Sequence, residues 1–333
     1  MTPTRHFERL VQTWLLERPF VIARGVSTSI DVVQVRISQN GHVGIGECKP
    51  TPRYGHSIDT ILADLDAIAV EIEQGLDRQA LQQRLPAGPA RNAIDCALWM
   101  LEARISRRTI WQRLSLDPNR EIVTAHTVGI ASPAEMAAAA TQALSAGARL
   151  LKVKLDNEQV IERVTAVRDA APKARIIIDA NEAWRADSVA AHCAALAKLN
   201  VEMIEQPLPA GEDEILADFT HPVPLCADES CHTRADLERL ATRYEMINIK
   251  LDKCGGITEG LAMIEESRRL GLELMVGCML GTSVAMRAAL PLAAQARIVD
   301  LDGPLWLARD VEDALDFTAG SVKDLGTRDT SHG

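Results

Sequence analysis

Several features that would mark a membrane, secreted or nucleotide-binding protein are missing from this 333-residue sequence. No stretch approaches the ~18 uncharged apolar residues of a membrane-spanning helix, and the first residues lack the apolar segment and cleavage site of a secretion signal. The seven cysteines form no CxxC pair, so neither a disulfide framework nor a zinc site is indicated. No GxGxxG or Walker motif follows a predicted strand. We therefore expect a cytoplasmic protein with reduced thiols and no membrane partner.

Positive charge is also in short supply. Lys and Arg number 36 against 46 for Asp and Glu, which gives a formal net charge of −10. Such an acidic chain is a poor non-specific ligand for nucleic acid or for an anionic membrane surface. Hydrophobic residues make up 47% of the chain, an ordinary proportion for a globular protein with a sizeable core. If the substrate is anionic, cations placed locally must bind it.

From about residue 120, short β-branched runs alternate with longer amphipathic segments, which is the pattern of βα units around a parallel sheet. Eight such runs occur, and each spacing fits one strand, one helix and two turns. Eight units over this length favour a closed (β/α) barrel over an open doubly wound sheet. The runs begin at Val123, Arg149, Arg175, Val201, Pro224, Glu245, Leu272 and Arg297.

The N-terminal part has a different pattern. Two strand-like runs, 31–37 and 41–47, precede two helical patterns, 57–83 and 88–106, which predicts an α+β domain. We expect this capping domain to cover residues 1–118 and the barrel to cover residues 119–302. Residues 303–333 are too few for a domain, and we expect them to return to the cap.

Three consecutive runs end in acidic residues. Barrel enzymes carry their chemistry at the C-terminal ends of the strands, and Asp179, Glu205 and Asp228 occupy that position in runs three, four and five. Each carboxylate alone is equally compatible with a helix N-cap. Three converging carboxylates repel one another unless a cation lies between them, and oxygen-only ligands select Mg²⁺ before Mn²⁺. The series therefore predicts a magnesium site.

Lysines end the runs on either side of this acidic series. Lys152 and Lys154 share one side of run two, because side chains alternate along a strand, and Lys250 ends run six. A lysine near a metal ion and other lysines is expected to have a lowered pKa and to serve as a general base. Lys253, three residues further on, is interpreted as a surface charge in the turn. Run eight ends in Asp300 and Asp302, a pair suited to a substrate ammonium group.

These motifs identify the chain as similar to the enolase superfamily, muconate-lactonizing subgroup, and within it to the dipeptide epimerases. The resemblance runs from end to end. It is carried by the motifs RPFVIARG, GIGEC, LLKVKLDN, IDANEAW, EQPLP, CADESCHT, NIKLDKCGG, GCMLGTS and DLDGPLWLARDVE. The family implies an α/β fold, a (β/α)7β modified TIM barrel whose N-terminal α+β cap is completed by the C-terminal segment.

The resemblance also implies an activity. A dipeptide epimerase inverts the α-carbon of the C-terminal residue by 1,1-proton transfer, and the expected pair is L-Ala-D-Glu and L-Ala-L-Glu, formed in murein peptide recycling. By resemblance, one Mg²⁺ per subunit binds Asp179, Glu205 and Asp228. Lys154 and Lys250 act on opposite faces of the α-carbon, and Lys152 assists electrostatically.

The remaining expected site residues follow from the same resemblance. Asp300 and Asp302 hold the dipeptide ammonium group, Arg24 pairs with a glutamate side chain, and Cys278 lines the pocket. His56 stands in the cap loop where the family leads us to expect an acid, so the loop's part in specificity stays open. Whether the chain forms a homo-oligomer is also open.

Other activities compete with this interpretation. A cycloisomerase, an o-succinylbenzoate synthase, an N-acylamino acid racemase or an epimerase of other dipeptides would share the lysines and the metal site. Asp300 and Asp302 favour a dipeptide, because an N-acyl acid has no ammonium group for them. A metal-assisted hydrolase is disfavoured because no histidine belongs to the acidic set. A non-catalytic barrel would have no use for three lysines and three carboxylates at its strand ends.

Overall fold

The computed structural model describes residues 5–22 and 25–324. These residues form two three-stranded sheets and one eight-stranded sheet. The strands are β1 (His6–Ile22), β2 (Gly25–Gln39), β3 (His42–Cys48), β4 (Ile122–Val123), β5 (Ala125–Val128), β6 (Leu150–Lys154), β7 (Arg175–Asp179), β8 (Met203–Glu205), β9 (Leu225–Ala227), β10 (Met246–Ile249), β11 (Glu273–Gly277), β12 (Ile298–Asp300), β13 (Asp316–Thr318) and β14 (Ser321–Lys323).

The α-helices lie in the cap and between the barrel strands. They are α1 (Ile58–Glu73), α2 (Arg78–Arg84), α3 (Pro89–Ser106), α4 (Ile110–Arg113), α5 (Pro133–Ser145), α6 (Val160–Ala170), α7 (Val189–Ala197), α8 (Leu237–Leu240), α9 (Leu251–Cys254), α10 (Ile257–Leu270) and α11 (Ser283–Ala293).

The cap consists of an antiparallel sheet, β1-β2-β3, with α1 and α3 packed on it. Its core comprises buried apolar residues from β2, α1 and α3. Helix α3 approaches β3 closely because Gly46 has no side chain: a Cβ there would lie 2.0 Å from the carbonyl oxygen of Ala93. The helix therefore packs backbone against backbone on the sheet.

Two features of the cap differ from the sequence prediction. Strand β1 was not predicted, since its apolar residues do not follow one face and Leu10 and Leu15 are exposed. The helical pattern 57–83 is two helices, because Gly75 has a φ of +103° and Asp77 begins α2 by accepting a hydrogen bond from the Ala80 amide. Turn geometry overrides the continuous helical periodicity here.

The eight-stranded sheet confirms the predicted barrel. Strands β5 to β12 are parallel and pair in chain order, and each lies within one of the eight predicted runs. The seam between β12 and β5 is closed by side chains: the Leu301 amide donates to the Thr124 hydroxyl (2.8 Å), and the Thr127 amide donates to the Asp302 carboxylate (2.9 Å). A 3-10 turn, Gly303–Trp306, follows β12 in place of a barrel helix.

The C-terminal segment contacts two places. Leu307 bridges Leu16 of β1, and Trp306 packs edge-on against Phe20 with ring centroids 4.6 Å apart. The β13–β14 hairpin pairs instead with β4, immediately before the first barrel strand. The segment thus joins the cap first and the barrel afterwards. The domain boundaries after residues 118 and 302 stay a prediction.

The lower interior of the barrel is apolar. Each of the eight strands contributes one buried side chain to a single cluster, called the base ring here: Ala125, Leu150, Ile177, Met203, Cys226, Met246, Met275 and Ile298. Along each strand, the residue after the base-ring position faces away from the barrel axis. Ile178, Ile204 and Ile247 are examples, and they belong to a separate cluster that includes the surrounding helices. No helix among the described residues has the length and apolar character needed to cross a membrane.

Candidate active site

A second set of side chains lies above the base ring. Because side chains alternate along a strand, the residue two positions further on each strand also faces the barrel axis. These eight positions, called the polar ring here, are Thr127, Lys152, Asp179, Glu205, Asp228, Asn248, Gly277 and Asp300. All of them are buried. The predicted Lys152, the three predicted metal ligands and Asp300 therefore lie in one layer.

Lys152 connects three of the polar-ring carboxylates. Its Nζ lies 3.0 Å from Asp179 Oδ2, 2.7 Å from Glu205 Oε2 and 2.7 Å from Asp300 Oδ2. The side chain is 2% exposed, so these contacts are desolvated. Lys152 compensates part of the negative charge of its neighbours.

Lys154 and Lys250 rise above the polar ring from opposite sides of the barrel. Lys154 ends β6 and Lys250 follows β10, and these strands are four steps apart whichever way the closed sheet is followed. Lys154 Nζ donates to Asp179 Oδ2 (2.6 Å) and Asn181 Oδ1 (3.2 Å). Lys250 Nζ donates to Asp228 Oδ2 (2.7 Å). The strands carrying Asp179, Glu205 and Asp228 lie between the two lysines.

Lys253 lies in the interior, and its interpretation as a surface charge was wrong. Its side chain is 1% exposed and its Nζ lies 2.5 Å from Asp228 Oδ1. Lys253 lies in the short helix α9, which directly follows Lys250, and it contacts Asp228 Oδ1 whereas Lys250 contacts Oδ2. The sequence offered a signal: residue i+3 of a helical turn lies beside residue i.

Asn248 belongs to the site although sequence reasoning did not single it out. Its Nδ2 donates to Glu205 Oε1 (2.7 Å). Gly277 on the neighbouring strand leaves room for this amide, because a Cβ there would lie 2.8 Å from Asn248 Nδ2. The available signal was the strand period, since Asn248 precedes Lys250 by two residues and shares its face.

The three carboxylates Asp179, Glu205 and Asp228, called the acidic group here, have pKa values that are shifted in different directions. Burial alone would raise the pKa of Asp179, but the ammonium groups of Lys152 and Lys154 outweigh it and lower this pKa. The pKa of Asp228 is lowered in the same way by Lys250 and Lys253. Burial and the charge of Asp179 raise the pKa of Glu205 to about 8. Positive charge is therefore insufficient at Glu205, the central carboxylate.

The pKa of Lys250 differs from the sequence expectation. Burial favours the neutral amine, yet Asp228 and Glu205 outweigh burial and raise the pKa of Lys250. Burial is the largest single influence on Lys152 and favours the neutral amine, but Asp179, Asp300 and Glu205 together exceed it and raise the pKa of Lys152 well above its usual value. The physical reason is direct contact: each ammonium group lies against a carboxylate oxygen.

The acidic group fits a hard cation by its chemistry. Among the described residues, no three Asp, Glu, His or Cys side chains converge closely enough to hold a metal ion as they stand, because lysines contact the oxygens such an ion would use. The donors are nevertheless oxygen only, the set that Mg²⁺ prefers. The raised pKa of Glu205 marks the place where a cation would keep the carboxylate ionised.

Asp300 and Asp302 differ in what they contact. Asp300 uses Oδ2 for Lys152, and its buried Oδ1 has no hydrogen-bond partner. Asp302 accepts the Thr127 amide at the barrel seam, and the Trp306 indole lies 3.4 Å away. Burial, together with Asp300, raises the pKa of Asp302 to about 6. Asp300 Oδ1 is thus the acceptor best placed for an additional donor.

Three further residues were predicted for the site: Cys278, His56 and Arg24. Cys278 is half-buried directly after β11, and burial raises the pKa of its thiol well above the usual value, which does not suit a nucleophile. His56 is half-buried, and burial lowers its pKa. Arg24 lies outside the described residues.

One cap-loop contact was not anticipated. Arg53 forms a bidentate pair with Glu182, with Nε–Oε2 2.9 Å and a second nitrogen–oxygen distance of 2.7 Å. Glu182 and the preceding Asn181 both have positive φ angles, +68° and +44°, which are uncommon for residues with side chains. The strained turn after β7 therefore connects Lys154, through Asn181, to the cap loop.

Two family models match the chain. Residues 135–324 match the enolase C-terminal domain-like model, and residues 6–114 match the N-terminal domain of mandelate racemase / muconate lactonizing enzyme. The chain belongs to the mandelate racemase / muconate lactonizing enzyme family of the enolase-like proteins. The family assignment covers both the barrel that carries the acidic group and the cap that faces it.

Two relatives within the family are similar over most of their length. The L-Ala-D/L-Glu epimerase of Escherichia coli (strain K12) is 52% identical over 311 residues, which cover 93% of this chain and 97% of the relative. The N-acetyl-D-glutamate racemase of a Pseudoalteromonas species is 43% identical over 296 residues, covering 88% and 93%. The two names differ in the group attached to glutamate nitrogen.

Two solved structures of this family have the same fold. An Agrobacterium tumefaciens protein with bound sodium and L-Ala-L-Glu is 46% identical with a TM-score of 0.93, covering 97% of this chain and 98% of that one. A dipeptide epimerase from Enterococcus faecalis, complexed with Mg and L-Leu-L-Tyr, is 29% identical with a TM-score of 0.90, covering 98% of both chains.

Proposed function

We propose that this chain is a Mg²⁺-dependent dipeptide epimerase that interconverts L-Ala-D-Glu and L-Ala-L-Glu by 1,1-proton transfer at the glutamate α-carbon. One observation carries the proposal: two buried lysines rise from opposite sides of the barrel, with an acidic group between them. Inverting a carbon centre requires a base on one face and an acid on the other. The 52% identity to an L-Ala-D/L-Glu epimerase supports the substrate.

The chain's own residues divide the work. Asp179, Glu205 and Asp228 would hold Mg²⁺, and the bound ion would supply positive charge that acidifies the α-proton next to the substrate's carboxylate. Lys154 takes the proton from one face, and Lys250 returns one to the other; in the reverse direction the roles exchange. Lys152, fixed between three carboxylates, keeps positive charge on the floor of the site.

The remaining residues orient the dipeptide. Asp300 has a buried acceptor atom, Oδ1, without a hydrogen bond, which suits the substrate ammonium group. Asp302 lies two residues further on and contributes negative charge. We assign the glutamate side chain to Arg24, whose planar guanidinium matches a carboxylate, and a lining role to Cys278.

An N-acylglutamate is a second candidate substrate. The 43% identical relative is an N-acetyl-D-glutamate racemase, so similar chains can act on glutamate whose N-acyl group carries no ammonium group. The α-carbon chemistry would be the same with either substrate. The unsatisfied Asp300 Oδ1 favours the dipeptide, because the alanine ammonium group supplies a charged donor that the acetyl group lacks.

Deuterium exchange tests the chemistry and the substrate together. Purified protein with Mg²⁺ in D₂O is incubated separately with L-Ala-L-Glu, L-Ala-D-Glu and N-acetyl-D-glutamate, and the glutamate α-proton is followed by NMR. We expect exchange and epimerisation of both dipeptides and little reaction of the N-acetyl compound. Faster reaction of N-acetyl-D-glutamate would move the substrate to the second candidate. No exchange with any compound would contradict an α-proton transferase.

Two variants assign the lysines. In Lys154→Met and Lys250→Met, we expect epimerisation to fall by at least about 10³-fold. Each variant should keep α-proton exchange only from the epimer whose proton faces the remaining lysine. Lys198→Met, at an exposed position on the barrel exterior, is the control and should behave as wild type. Loss of exchange from the same epimer in both variants would contradict a two-lysine mechanism.

The biological setting follows from the substrate. L-Ala-D-Glu is a fragment of murein, so we assign the enzyme to peptidoglycan recycling. All seven cysteines are free thiols, and six of them are buried, which supports a reducing, cytoplasmic compartment.

A further inference from the structure

Lys253 makes more contacts with the acidic group than any role in a surface turn requires. Its ammonium group donates to Asp228 Oδ1 (2.5 Å) and to the main-chain oxygen of the same residue. A third, longer contact of 3.3 Å reaches the main-chain oxygen of Asn248. This lysine therefore contacts three oxygens at the C-terminal ends of β9 and β10, and its side chain is 1% exposed.

These contacts divide the two oxygens of Asp228 between two lysines. Oδ1 faces Lys253, whereas Oδ2 faces Lys250 at 2.7 Å. Lys250 is one of the two lysines assigned to proton transfer and has to leave Asp228 to reach a substrate. Lys253 is less able to move, because it also donates hydrogen bonds to the main-chain oxygens of Asp228 and Asn248.

We propose that Lys253 is a positioning residue that holds Asp228 with Oδ2 toward the barrel axis and fixes the end of β9 relative to that of β10. The inference rests on the proposed function, since it assigns Asp228 to the magnesium site and Lys250 to proton transfer. We assign Lys253 no direct contact with substrate or metal, because its three contacts are to Asp228 and Asn248. It would keep the Asp228 carboxylate in one orientation for the cation and fix the position from which Lys250 begins its movement.

Filling the space beneath the strand ends would not by itself require a charged residue. Lys253 lies near the buried thiols of Cys226 and Cys231, and burying an ammonium group there carries a desolvation penalty. Methionine has a similar length and would avoid that penalty. The retained charge is explained by the carboxylate that it orients.

The test is Mg²⁺ binding to Lys253→Met, measured by calorimetry on the metal-free protein without substrate. Residues that orient metal ligands typically contribute 10- to 100-fold to metal affinity, so we expect the Kd for Mg²⁺ to rise by about that factor. At saturating Mg²⁺, kcat for L-Ala-L-Glu should still be reduced at least about tenfold, with a smaller change in KM, because Lys250 loses its register.

Arg168→Met is the matched control. Arg168 also donates to main-chain oxygens, among them those of Leu199 and Ala174, but contacts none of the acidic group. Its loss should lower the melting temperature and leave the Kd for Mg²⁺ unchanged. If Lys253→Met behaves in the same way, with wild-type Kd and kcat, the inference is overturned.

A second variant and the Mg²⁺ titrations cover two other possible outcomes. Should Lys253→Met not fold, Lys253→Gln, which retains a donor without the charge, is measured instead, and a wild-type Kd and kcat there would equally overturn the inference. Should the wild-type chain exchange no α-proton, the proposed function fails, while the Mg²⁺ titrations still report on whether Lys253 orients Asp228.

Discussion

The base ring and the polar ring are two layers of the same eight strands, only two residues apart, and they have opposite properties. The base ring buries one apolar side chain from every strand. The polar ring buries four carboxylates, one lysine, two other polar side chains and a glycine. Apolar burial stabilises the fold, whereas buried charge is tolerated only with partners. Two positions on the same strand, only two residues apart, can therefore have different roles: one stabilises the fold and the other carries the chemistry.

The largest effect should come from the polar ring. Glu205→Gln removes the central carboxylate but keeps its shape, and we expect epimerisation to fall by about 10³-fold or more. The free energy of unfolding, measured with urea, should stay within about 0.5 kcal/mol of wild type, because the neutral amide avoids burying a charge. A variant that keeps its activity, or that is strongly destabilised, would contradict the assignment of the polar ring to chemistry and of the base ring to stability.

The same strand offers the opposite experiment two residues earlier. Met203 is fully buried in the base ring, and Met203→Ala should lower the free energy of unfolding by about 2–5 kcal/mol. The kcat of the molecules that remain folded should be within about twofold of wild type. A large loss of kcat without a loss of stability would show that the base ring also positions the chemistry.

The junction between cap and barrel should respond to pH. Burial raises the pKa of Glu47 to about 7, although the Thr282 amide and hydroxyl donate to it; the nearby acids are Asp252 and Asp310. Because this pKa is higher in the folded than in the unfolded chain, its stabilising contribution is complete below about pH 4.5. It is lost as the pH rises through about 7, by roughly 3 kcal/mol.

The variant Glu47→Gln tests that sign. Its free energy of unfolding should vary less between pH 5 and pH 8 than that of wild type. Some dependence of the same sign should remain, because burial also raises the pKa values of Asp95 and Asp252 to about 6. Equal slopes for variant and wild type would show that Glu47 does not control the junction.

The smallest effect is expected at the cap loop. Arg53 is 43% exposed and its partner Glu182 is 8% exposed, so Arg53→Gln should cost at most about 1 kcal/mol of stability. Because the pair connects the cap loop to the turn after β7, KM for L-Ala-L-Glu should rise about two- to fivefold. Arg185→Gln breaks a highly exposed pair with Asp187 and serves as the control; an equal change in both variants would exclude a specific role for Arg53.

The sequence predicted the barrel well because strand period and repeat length are local properties. Lys152, Asp179, Glu205, Asp228 and Asp300 fall in one layer for the same reason: each lies two residues beyond the base ring on its run, and parallel strands end at one edge. Residues whose position depends on turns were harder. The α9 turn brings Lys253 inside, and the exposed β1 has no buried face that would produce a regular pattern.

Asn248 shows a different limit. Its place on the strand was available from the period of two, but its importance was not, because an asparagine in a strand carries no charge that suggests a site. Only the room left by Gly277 on the next strand explains why an amide is accommodated there. Pairing between strands that are distant in the sequence decides such contacts.

The seam of the barrel limits how this enzyme can evolve. Asp302 accepts the main-chain amide of Thr127 where the last strand meets the first, and it is also one of the two acids assigned to the substrate's amino end. A lineage that changes its substrate by replacing Asp302 must at the same time find another acceptor for that amide. Asp300 has a free Oδ1, and its Oδ2 shares the Lys152 ammonium group with Asp179 and Glu205. Its replacement leaves Lys152 with two carboxylate partners, so divergence toward new amino-terminal groups should begin there.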